Sequence, residues 1–141
     1  MRWLVVAFGV AATIHSFVSR REMPGREGRS RWDTLFMLSV DLQVLFGLLL
    51  YFGLSPFTMA GMNDFHAALH EPVVRFWTIT HIGLMFSAAL LIRVGRVLAL
   101  NAPDARTRRM RRGVVFAAAL LIIAWAMPWP GTAAGRPLFR F

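Results

Sequence analysis

Four stretches of this chain are nearly free of charge, residues 3–19, 34–54, 76–92 and 114–127, and charged or turn-forming segments separate them. Blocks of roughly 17–25 apolar residues match the helix length that crosses a hydrocarbon core of about 30 Å. An open strand in lipid leaves its backbone groups unpaired, so each block is expected to be a helix. Core helices of a soluble protein would carry polar stripes at helical spacing, and the four blocks carry none. The pattern predicts an all-α integral membrane four-helix bundle. It forms one transmembrane domain over residues 1–141, with helices at about 3–19, 34–54, 74–98 and 114–130.

The segments between the blocks read as connections. Residues 20–33 contain Pro24, Gly25 and Gly28 and predict a connector, with Asp33 or Thr34 as the N-cap of the second helix. In residues 55–75, Asn63 or Asp64 can cap a short helix that runs through His70 and stops at Pro72. Phe65, Ala68 and Leu69 give that helix an apolar side suited to a membrane surface. Asn101-Ala102-Pro103-Asp104 predicts a turn and the run to Arg112 a basic connector. The fourth helix is expected after Gly113, closing at Met127-Pro128-Trp129-Pro130. Trp3, Trp32, Trp77, Trp125 and Trp129 all fall near expected span ends, where an aromatic belt sits.

Charge then orients the bundle. The net charge is +9 and every basic residue is arginine. Arg20, Arg21, Arg26, Arg29 and Arg31 flank the first two blocks, and Arg93, Arg96, Arg106, Arg108, Arg109, Arg111 and Arg112 flank the last two. Two crossings lie between these clusters, so both belong to one side, and the other side holds Arg2, Arg75, Arg136 and Arg140. The positive-inside rule makes the rich side cytoplasmic and both termini periplasmic, in a multi-pass protein of the bacterial inner (cytoplasmic) membrane. Topology accounts for the charge, so nucleic acid is not expected as a partner. Arg108, Arg109, Arg111 and Arg112 are expected to meet anionic lipid headgroups. The first block resembles a signal peptide, but arginines follow it directly, the flank of a retained helix. There is no cysteine, which excludes disulfides, thiolate metal sites and covalently attached haem.

Ionisable residues inside membrane spans are costly and hence informative. Three are deep: His15, Asp41 and His81. His15 lies a few residues from the cytoplasmic end of its helix, and Asp41 lies about two turns in from the same side. They can meet, and Arg93 can reach Asp41 from the end of the third helix. His15, Asp41 and Arg93 are thus expected to form a structural polar cluster that fixes helix register. His81 enters from the opposite side, about a turn or two from the outer end. That depth makes His15 and His81 a poor bis-histidine clamp for haem. A single-histidine site at His81 for haem b or bacteriochlorophyll stays open beside the commoner role of an interhelical hydrogen bond.

Other chemistry is sparse. His66 and His70 share a helix face at i, i+4 beside Glu71, but no third ligand is evident, so no metal is expected. No nucleophile–base pair, phosphate loop or dinucleotide fingerprint is present, and no catalytic residue is assigned. Ala7 with Ala11, Gly9 with Thr13 and Gly83 with Ser87 are small-residue pairs that permit close helix approach.

Residues from His15 through Pro130 resemble small bacterial four-helix membrane proteins labelled cytochrome b-like. The resemblance rests on Asp41-Leu42-Gln43-Val44-Leu45-Phe46-Gly47-Leu48, on Arg75-Phe76 with Thr80-His81, on Gly95-Arg96, and on Met127-Pro128-Trp129-Pro130. It implies the four-helix membrane fold. In that family a histidine precedes the Leu-Gln pair and proline follows the third-helix histidine, whereas Asp41 and Ile82 stand here. A haem held as the label implies would therefore lack its second-helix ligand.

The sequence thus favours a non-catalytic subunit that packs against other membrane protein subunits of a larger respiratory or photosynthetic complex. The second reading is a b-type cytochrome or pigment-binding electron-transfer protein that uses His81.

Overall fold

The computed structural model describes residues 2–19 and 30–137, with only the backbone described at Ala60 and Ala67. Residues 20–29 of the predicted connector, with four of its arginines, and Arg140 near the C-terminus lie outside the described residues. The described chain is all-helical: α1 (Arg2–Val18), α2 (Arg31–Gly53), three short helices α3 (Pro56–Asn63), α4 (Phe65–His70) and α5 (Pro72–Arg75), then α6 (His81–Leu100) and α7 (Ala105–Ala126). A π-helical turn, Phe76–Thr80, joins α5 to α6. Two continuous helices, Arg31–Gly53 and Pro72–Leu100, are long and apolar enough to cross a membrane.

Two helix starts differ from the sequence expectation. Ser30 caps α2 by accepting the Trp32 amide hydrogen, which places Asp33 inside the first turn, facing inward. Asp104 caps α7 by accepting the Thr107 amide hydrogen, so residues 106–112 form the first two turns of a helix instead of a basic connector. Arginine is a good helix former, and a capped turn followed by arginines propagates readily. At the other end α7 stops at Ala126, ahead of Met127-Pro128-Trp129-Pro130.

Apolar side chains fill the core and also cover much of the outer surface. Buried positions recur every three or four residues, the spacing of one helix face. They run Val5, Gly9, Ala12 and Ser16 on α1, and Gly113, Phe116, Ala119, Ile123 and Ala126 on α7. Most are small, while Leu4, Phe17, Leu49, Leu90, Leu121 and Trp125 point outward. Small residues let backbones approach closely. A Cβ added at Gly9 would come within 2.7 Å of the Phe36 ring, and one at Gly95 within 2.1 Å of Val115. Phe36 and Phe116 fill the centre edge to face, their rings 5.4 Å apart.

Helix α7 lies between α6 and α1, and α1 lies against α2. Helices α2 and α6 close the ring less completely. At one end Arg93 and Arg96 of α6 reach Asp41 and Met37 of α2. Toward the other end the two helices part around a cleft of about 460 Å³.

Candidate functional site

The polar side chains fall into three groups. The first is buried at the end of the bundle where α1 ends and α7 begins. Arg112 places a guanidinium nitrogen 3.2 Å from the Asp33 carboxylate, and their side chains are 4% and 1% exposed. Its Nε donates to the Ser16 hydroxyl at 3.1 Å. One arginine on α7 thereby ties α1 and α2. The sequence expectation that Arg112 meets lipid headgroups is corrected: seven residues into α7, it points into the bundle. Arg111 is exposed and donates to the Leu98 carbonyl, while Arg108 and Arg109 are half-buried.

The second group joins α2 to α6. Arg93 forms a hydrogen-bonded ion pair with Asp41 at 2.5 Å, and the two side chains are 49% and 41% exposed. Beside it an Arg96 guanidinium nitrogen lies 3.0 Å from the Met37 sulfur. His15 does not join this pair. Its Nδ1 contacts the Ser30 hydroxyl at 3.3 Å, so the expected three-residue cluster divides into two separate contacts. The α2 N-cap brings Ser30 to the end of α1, a nearer partner for His15 than a carboxylate eleven residues further along the chain.

The third group surrounds His81. The last carbonyls of a helix have no intrahelical partner. That of Ala126, at the end of α7, accepts a hydrogen bond of 2.7 Å from Nδ1 of His81. A carbonyl can only accept, so Nδ1 carries the hydrogen. The Trp77 ring packs at 5.2 Å and the Phe76 ring at 5.9 Å from the imidazole. The π-turn sets this arrangement, because its widened backbone bonds the His81 amide to the Phe76 carbonyl, five residues back. Thr78, within the turn, accepts the Tyr51 hydroxyl on its carbonyl and donates its own hydroxyl to the Phe57 carbonyl.

Past α7 the chain reverses through Gly131, whose φ of 91° is left-handed backbone that favours glycine. The reversal lays the Arg136 guanidinium over the Trp77 ring, 4.6 Å from its centre. His81, Gln43, Trp77, Met85 and Arg136 line both the cleft and a smaller cavity of about 170 Å³ within the bundle.

The remaining candidates are simpler. His66 and His70 pack with tilted rings, their centres 5.0 Å apart on α4, and the described residues contain no group of three or more metal-ligating side chains. Of the small-residue pairs, Gly9 lies in a close helix contact, whereas a Cβ at Gly83 would meet nothing within 4 Å. Sequence reasoning missed the Asp33–Arg112 pair. The signal was the Pro103-Asp104 turn, which marks an earlier start of α7 and turns Arg112 inward. No protein family, curated protein or solved structure matches the chain.

Proposed function

We propose that the chain is a non-catalytic subunit of the bacterial inner membrane that packs in and stabilises a larger respiratory or photosynthetic complex. It spans the membrane four times, through α1, α2, the run from α5 to α6, and α7, with both termini periplasmic. The outward apolar side chains support the membrane setting, since soluble monomers rarely expose continuous apolar surface.

The subunit reading is carried by the Asp41–Arg93 pair. Asp41 lies ten residues into α2, about 15 Å along the helix from its start. Both partners remain roughly half exposed there. Charge facing hydrocarbon is costly, and a polar partner helix laid over the pair removes that cost. Gly83 and Ser87 add a small-residue face on α6 that a neighbouring helix can approach closely.

The double variant Asp41→Leu/Arg93→Leu tests this, because it removes the pair and leaves neither charge behind. In native electrophoresis of membranes dissolved in mild detergent, the wild type should run within a larger assembly and the double variant alone. A wild type that runs alone, or a double variant that stays in the assembly, would refute the reading.

A further inference from the structure

The fold uses only one nitrogen of His81. Nδ1 donates to the last carbonyl of α7, and Nε2 has no hydrogen bond among the described residues. An uncharged imidazole that donates through Nδ1 presents a lone pair at Nε2. The Arg136 guanidinium packs on the neighbouring Trp77 ring. His81 is therefore a fixed acceptor at the wall of an apolar cleft.

The rest of the cleft limits what can fill it. Its volume of about 460 Å³ falls in the usual range for small-molecule sites, roughly 300–1,000 Å³. Trp77, Phe46, Phe57 and Phe86 supply aromatic walls. Gln43 contributes a carboxamide whose oxygen has no partner among the described residues, and rotation of that group offers either a donor or an acceptor. Gly47 leaves open space at the wall, since a Cβ there would meet nothing within 4 Å. Leu50 and Leu54 carry the apolar lining outward and are themselves exposed. The π-turn that positions His81 is a rare element found often at functional sites.

We propose that this cleft binds the head of a lipid-soluble quinol, whose ring hydroxyl donates to Nε2 of His81 while its apolar tail follows Leu50 and Leu54 into the bilayer. The choice of the reduced form follows from hydrogen-bond polarity. A quinol hydroxyl can donate to Nε2, whereas a quinone oxygen can only accept and faces a lone pair. Gln43 adapts to the second ring oxygen. The site rests on the membrane reading only in that its mouth opens to lipid, and it does not depend on assembly into a complex.

Titration of the full chain in detergent micelles with a decyl-chain quinol and the matching quinone, followed by tryptophan fluorescence, tests the proposal. The quinol should bind about tenfold more tightly than the quinone, the effect of one hydrogen bond in an apolar site. His81→Ala should erase that preference. Gly47→Leu leaves the Ala126 bond intact and fills the cleft, and it should weaken binding of both forms. Equal affinity for the two forms overturns the proposal, as does a Gly47→Leu variant that binds normally. A visible absorption band in the wild type that vanishes in His81→Ala also overturns it, since Nε2 would then ligate a tetrapyrrole. A chain that runs alone in native electrophoresis yet prefers the quinol would refute only the subunit reading.

Discussion

Arg112 and Asp33 meet at 3.2 Å with almost no solvent on either side chain, and the same guanidinium holds Ser16 on a third helix. The pair brings charge into the interior, where its desolvation offsets much of its attraction. Its value lies in what happens when one partner is lost. Neither Asp33 oxygen has a well-aligned hydrogen bond among the described residues, so the carboxylate relies on the arginine.

Arg112→Leu should therefore lower stability by about 3–5 kcal/mol, the usual loss when a buried charge is left unpaired. Asp33→Leu/Arg112→Leu should lose clearly less, because no charge is stranded. Denaturant unfolding in detergent measures both, and equal losses in the single and double variants would contradict this role.

Glycines that look alike in the sequence should separate sharply. A Cβ at Gly95 would come 2.1 Å from a Val115 methyl, whereas one at Gly83 meets open space. Gly95→Ala should destabilise by about 1–3 kcal/mol through overpacking. Gly83→Ala should be neutral or stabilising by up to about 1 kcal/mol, because alanine is the better helix former. Melting temperatures in one detergent compare the two, and equal shifts would contradict the packing described here.

Much of this architecture was legible in the sequence, for physical reasons. The apolar blocks marked the long helices, because length and the absence of charge leave few other readings. Pro72 marks the end of the short outer helix at His70, and the place of Arg93 at the end of the third helix puts it within reach of Asp41. The N-terminal turns of α7 are hidden in the sequence, because a run of arginines looks like a solvated connector when helix propensity is set aside. The division of His15 from Asp41 depends on where Ser30 starts α2, and helix starts are the least legible feature of a sequence. The bond from His81 to Ala126 joins residues 45 positions apart, and no local pattern encodes it. Only the packed helices place the imidazole at the end of α7.

The cap of α7 has a pH signature. Asp104 accepts hydrogen bonds from the Thr107 amide and hydroxyl, which hold its carboxyl below the usual aspartate range. A lowered folded-state value means that the cap's contribution is fully present above the unfolded aspartate value, about 3.9. It is lost as pH falls through the folded value. Asp104→Ala should lower the melting temperature at neutral pH and should narrow its gap to the wild type as the pH drops below about 4. A gap that stays constant to pH 2 would contradict the capping role.

The proposed four-span bundle turns its arginine-rich ends toward the cytoplasm. Reporter fusions made in a bacterial host test it most directly, one after Phe141 and one in the turn at residues 101–104. A periplasm-dependent phosphatase should be active at Phe141 and inactive in the turn, and a fluorescent protein that matures only in the cytoplasm should show the reverse. Phosphatase activity in the turn with cytoplasmic fluorescence at Phe141 would contradict the orientation, and the same reporter active at both sites would contradict the number of spans.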